Sequence, residues 1–123
     1  MAITVNTFSA YPYGFSINAT SADASDCEEL VAAPAADYSI YLESLTISTA
    51  AALTVTIGCG EAANECEVVL IGPIVMGENQ TLRWRFVRPI MCVAGKSLTV
   101  DASGGGVVTV FAEGFVDVSR IPV

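Results

Sequence analysis

Hydrophobic and polar residues alternate with a period of two along most of this chain. Leu53, Val55 and Ile57 alternate with Thr54 and Thr56, and Cys66, Val68 and Leu70 with Glu65, Glu67 and Val69. Leu82, Trp84 and Phe86 alternate with Arg83, Arg85 and Val87, and Leu98 and Val100 with Thr99 and Asp101. Alternation of this kind puts one row of side chains on a core and the other in solvent, as in a half-buried strand. Thr, Val and Ile dominate the runs, which suits a pleated surface. No window carries a helical period. Turn signals stand at Gly58–Asn64, Gly72-Pro73, Gly77–Asn79, Arg88-Pro89, Ala94-Gly95 and Ser103–Gly106. Together they predict about eight strands, at 13–19, 27–32, 38–48, 52–58, 65–71, 81–88, 96–101 and 106–118, with a short ninth at 90–93. Short strands so punctuated predict an all-β, antiparallel sandwich or barrel.

Two segments carry more detail. From Ser39 to Ser48 the alternation changes phase at Glu43-Ser44: Ile40 and Leu42 precede the break, Leu45 and Ile47 follow it. A bulge, a bend or a strand crossing between sheets accounts for such a break. In 106–118, Val108, Val110, Ala112, Gly114, Val116 and Val118 form a core face, which leaves Phe111 and Phe115 facing outward. Outward phenylalanines call for cover, either by the chain's own arm or by a second subunit. Residues 1–12 lack the core pattern and read as an extended N-terminal arm. The sandwich domain spans 13–118, and 119–123 form a tail.

Composition narrows the function. A length of 123 residues fits one domain. The chain holds 13 acidic residues, five basic ones and no histidine, for a net charge of −8. A nucleic-acid binder needs a basic footprint, so nucleic acid is not an expected partner. Histidine is the commonest general base and metal ligand, and its absence points away from catalysis. No cofactor is expected. No apolar stretch is long enough to span a membrane as a helix, and the N-terminus has no basic or continuous apolar region of a secretory signal. The charge is uneven: residues 1–82 contain ten acids and no base.

Several residue groups are candidates for chemistry. Arg83 and Arg85 share one face of their strand. If 65–71 and 81–88 form a hairpin, Glu65 and Glu67 face them as cross-strand ion pairs. Otherwise the two arginines suit recognition of a carboxylate or an acidic partner surface. Four cysteines, Cys27, Cys59, Cys66 and Cys92, allow three pairings or four buried thiols. A Cys59–Cys66 bridge would close the turn-like segment between neighbouring strands. Asp23, Asp26, Glu28 and Glu29 crowd one segment without calcium-loop spacing. Gly104-Gly105-Gly106 precedes a strand, not a helix, and reads as a hairpin turn.

Taken together, Ser39-Ile40-Tyr41-Leu42-Glu43-Ser44-Leu45-Thr46-Ile47, Gly72-Pro73-Ile74, Trp84-Arg85-Phe86, Arg88-Pro89-Ile90, the run from Ala94 to Asp101 and the run from Val108 to Phe115 resemble small β-sandwich virion proteins of tailed bacteriophages. These are capsid decoration (cement) proteins and related head-fibre components, and the likeness covers residues 30–118. The resemblance implies a jelly-roll-like sandwich without enzymatic activity, made in the host cytoplasm. It implies a homotrimer on the outer surface of a phage head, bound to the major capsid protein and stabilising it. The arm, through Ile3, Val5 and Phe8, would add a strand to a neighbouring subunit or to the capsid. Phe111 and Phe115 would lie at a subunit contact. The rival expectation is a receptor- or carbohydrate-binding module of a fibre or spike, with Tyr11, Tyr13, Tyr38 and Tyr41 stacking on sugars.

Overall fold

The computed structural model describes residues 3–7, 14–21, 27–62, 65–104 and 106–119. Among them are nine strands: β1 (Thr4–Thr7), β2 (Gly14–Ser21), β3 (Glu28–Val31), β4 (Tyr38–Thr49), β5 (Leu53–Ala62), β6 (Glu65–Met76), β7 (Gln80–Met91), β8 (Leu98–Ala102) and β9 (Val108–Val118). Each of the eight strands expected from the alternation is present. The segment 90–93 is not a separate strand, because β7 runs through Arg88-Pro89 to Met91. The additional strand is β1, in the segment expected to be an arm.

The strands form two antiparallel sheets, ordered β1-β2-β9-β4-β7 and β3-β8-β5-β6. Counting from β2 as the first of eight, the sheets read 1-8-3-6 and 2-7-4-5. That is the strand order of a jelly-roll-like wrapping, with β1 added beside β2. The core lies between the sheets. Ile17, Leu42, Leu45, Ile47, Val108 and Val110 face it from the first sheet, and Val55, Ile57, Leu98 and Val100 from the second. Burial of such side chains is the main force holding the layers together, at about 25 cal/mol per Å² of apolar surface removed from water.

The phase break in β4 is a bulge. Leu42 pairs with Gly114 of β9 and Ser44 with Glu113, so Glu43 is an extra residue, exposed and without a partner in the ladder. The extra residue restores Leu45 and Ile47 to the core face after Ile40 and Leu42. Gly114 permits it. It pairs with both Phe15 and Leu42, and a Cβ there would collide with the Tyr41 carbonyl oxygen and lie 2.8 Å from the Phe15 ring.

Both strands at one side of the sandwich are irregular. Between Ser44 and Leu42, β4 has one residue, whereas β7 has four, Phe86–Pro89, between Arg85 and Ile90. Those four residues arch away from the ladder, and Val87 is 101% exposed. In β6 the register shifts twice against β5, once around the cis Gly72-Pro73 bond and once at Leu70. Gly72-Pro73 therefore distorts a strand and does not end one.

Candidate functional site

The outer face of the five-stranded sheet carries most of the residues singled out by the sequence. Register places Thr46 of β4 between Arg83 of β7 and Phe111 of β9, and Ser44 between Arg85 and Glu113. These six residues, with Trp84, line a shallow groove of 270 Å³. The row beside it is a line of hydroxyls. Ser48 and Thr81 are 2.9 Å apart, and Thr20 and Thr109 are 3.5 Å apart.

The expected pairing of Arg83 and Arg85 with Glu65 and Glu67 does not form. Strands β6 and β7 follow each other in the chain but lie in different sheets, so they share no ladder. Glu67 pairs instead with Lys96, Oε2 to Nζ at 3.1 Å. The Glu65 side chain lies outside the described residues. Lys96–Glu67 is the ion pair among the described residues, and Arg83, Arg85 and Arg88 have no such partner. Three arginines thus project from one edge strand without an ion pair among the described residues.

Phe111 and Phe115 face outward, as the alternation requires, and each is half-buried. Phe115 stacks on Tyr41, its cross-strand neighbour, with centroids 4.9 Å apart and planes 7° from parallel. The Tyr41 hydroxyl donates to the Val118 carbonyl oxygen at 2.7 Å. Tyr41 is consequently buried, although it sits on the outer face. Beside the stack, Arg88, Pro89, Met91 and Asp117 complete an open hollow of 660 Å³. The position of Tyr41 follows from the phase break, which puts it opposite Phe115. The sequence reading placed the break without drawing that consequence. Of the other tyrosines, Tyr38 borders Phe115 and Asp117; Tyr11 and Tyr13 lie outside the described residues.

Apolar exposure is concentrated elsewhere. Seven large apolar side chains are exposed among the described residues, and four of them, Val68, Val69, Val75 and Val87, belong to β6 and β7. These two strands edge the sheets on the same side. Behind the valines, Leu70, Ile74, Leu82, Trp84 and Phe86 pack on the core yet remain only partly buried. The core therefore runs out to the surface along this side. The sequence reading missed this seam, because β6 and β7 alternate like strands with one fully covered face.

The arm expectation is corrected in its described part. Residues Thr4–Thr7 pair antiparallel with Ile17–Thr20 of the same chain, and Ile3 and Val5 pack on its core. They form the edge strand of the chain's own sheet and are not a detached arm. Phe8 lies outside the described residues.

The cysteines also pair differently from the Cys59–Cys66 bridge. Cys59 of β5 bonds Cys92, which follows β7, with Cα atoms 5.8 Å apart. Both are fully buried, and the bond ties one sheet to the other through the core. Cys27 and Cys66 are free thiols whose sulfurs lie 3.1 Å apart. Cys27 also lies 3.7 Å from the Gly60 carbonyl oxygen, and the Thr99 hydroxyl lies 3.3 Å from that oxygen and 3.3 Å from Cys66 Sγ. Gly58 makes the room: a Cβ there would come 2.5 Å from the Cβ of Cys66. Burial pushes the Cys27 thiol up from 9.0 to about 12, and the neighbouring Cys66 and Glu61 add to the rise against a lowering contribution from Thr99. Among the described residues no three His, Cys, Asp or Glu side chains gather as a metal site. Comparison of the chain with known protein families, curated proteins and solved structures returned no match.

Proposed function

We propose that this chain is a non-catalytic structural protein of a virion, a decoration subunit that self-associates and binds the outer surface of a phage head, stabilising it. The observation that supports this reading most is the apolar seam along β6 and β7, flanked by Arg83, Arg85 and Arg88. A seam of half-covered core residues loses free energy to water until something covers it. A second copy is the fitting occupant, because the arginines have no ion-pair partner among the described residues and the chain carries 13 acids. The irregular β6 and the arched β7, with Pro73 and Pro89 exposed, obstruct continuous strand addition. Contact then comes from side-chain packing, with the major capsid protein meeting the surface that remains. A trimer is the expected assembly from the family likeness.

Light scattering should give the mass of three chains, and replacing Val75 and Val87 together by serine should reduce it to one. The chain should co-sediment with head shells assembled from the major capsid protein of the same genome. A monomeric mass at all concentrations together with no shell binding would overturn the proposal.

A second reading, a receptor- or sugar-binding module, draws on the hollow between Phe115, Arg88, Pro89 and Asp117. It is weakened by Tyr41, whose ring is covered by Phe115 and is not open to stacking on a sugar. Binding on a glycan array that disappears with Phe115→Ala would favour this reading instead.

A further inference from the structure

We infer that Cys27 and Cys66 form a modification site, a dithiol that closes to a second disulfide across the outside of the four-stranded sheet. The argument rests on geometry. Two sulfurs 3.1 Å apart are inside ordinary non-bonded contact, and closing to a bond of about 2.05 Å needs a shift of roughly 1 Å. The site is built for this approach. Gly58 leaves space where any side chain would strike Cys66, and Thr99 and the Gly60 carbonyl bracket the two sulfurs. Cys27 precedes β3 at one edge of the sheet and Cys66 lies in β6 at the other. The bond would therefore link the chain just before β3 to β6 over the outside of the sheet.

The two thiols differ in access. Cys66 is partly exposed and Cys27 is buried. Cys66 is thus the sulfur that meets an external oxidant, here a low-molecular-weight disulfide. The Cys66 thiolate attacks one sulfur of that disulfide, forming a mixed disulfide and releasing one small thiolate, which takes up a proton. Cys27 then gives its proton to solvent and attacks Cys66 Sγ, and the second small thiolate leaves and is protonated. Two cysteine thiols are oxidised and one small disulfide is reduced to two thiols. Burial raises the pKa of Cys27, so little thiolate is present near neutral pH and the second step is the slow one.

The test uses the full chain, incubated with glutathione disulfide and read by intact mass and peptide mapping. Residues 1–82 contain no Lys or Arg, so cleavage after glutamate is needed to separate Cys27 from Cys66. The expected product has lost about 2 Da relative to the dithiol form, keeps no glutathione, and yields a Cys27–Cys66 linked peptide. Isolation of the chain with that link already present would support the inference equally. Cys27→Ser should trap one glutathione on Cys66, and Cys66→Ser should remain unmodified at Cys27. A glutathione that stays on wild-type Cys66, or a link from either residue to Cys59 or Cys92, would overturn the inference.

Discussion

Tyr41 and Phe115 face each other directly across β4 and β9 on the outer side of the sheet, with their rings stacked 4.9 Å apart. The pair covers an outer face with the chain's own aromatic surface, and the tyrosine hydroxyl anchors it to the Val118 carbonyl. Tyr41→Phe removes that bond alone and should cost about 1 kcal/mol. A double-mutant cycle of Tyr41→Ala with Phe115→Ala, read by urea unfolding, should return a coupling of about 0.5–1.5 kcal/mol. Zero coupling would mean that the two rings merely lie side by side.

The bulge at Glu43 needs an extra residue but not a glutamate. Glu43→Ala should change stability by no more than about 0.5 kcal/mol, since the side chain is exposed. Deleting Glu43 should prevent folding, because without the extra residue either Leu45 and Ile47 or Ile40 and Leu42 turn outward. Gly114→Ala should cost about 1–3 kcal/mol through the overpacking it forces against Tyr41 and Phe15. Circular dichroism melts of the three variants separate these effects.

If the chain self-associates as proposed, Arg83 and Arg85 should contribute to association and not to the fold. Replacing both with glutamate should leave the unfolding free energy of the isolated chain within about 0.5 kcal/mol, since no ion pair is lost. It should weaken self-association in light scattering, with the largest effect at low salt. Lys96→Ala behaves oppositely. It removes the exposed pair with Glu67, costs about 0.2–1 kcal/mol of stability and leaves association unchanged.

In the dithiol form, stability should fall in alkali. The Cys27 pKa of about 12 in the folded chain lies above the ordinary 9.0, so folding favours the neutral thiol. Its contribution is fully present below pH 9 and is lost as pH rises toward 12. The diagnostic quantity is the difference from Cys27→Ser. The slope of unfolding free energy between pH 9 and 11 should be shallower in that variant. Identical slopes would show that Cys27 is not held neutral by the fold.

The strands were legible in the sequence to within a few residues, and so was the break at Glu43-Ser44. Alternation reports which side of a strand faces the core, and a change of phase is visible without knowing the neighbour. The candidate site was legible in its parts: Phe111 and Phe115 do face outward, and Arg83 and Arg85 do share an exposed face. Their company was not. The Arg–Glu pairing failed because proximity along the chain suggested a β6–β7 hairpin, whereas the chain passes from one sheet to the other between β6 and β7.

The sequence by itself determined an all-β chain, the faces of its strands and the place of its bulge, because each depends on neighbours one or two residues away. Only the tertiary structure decided that Cys59 meets Cys92, that Cys27 meets Cys66, that Thr4–Thr7 joins its own sheet, and that the core is left open beside β6 and β7. Those outcomes depend on which distant strands lie together, and a strand's local pattern is the same whichever partner it takes.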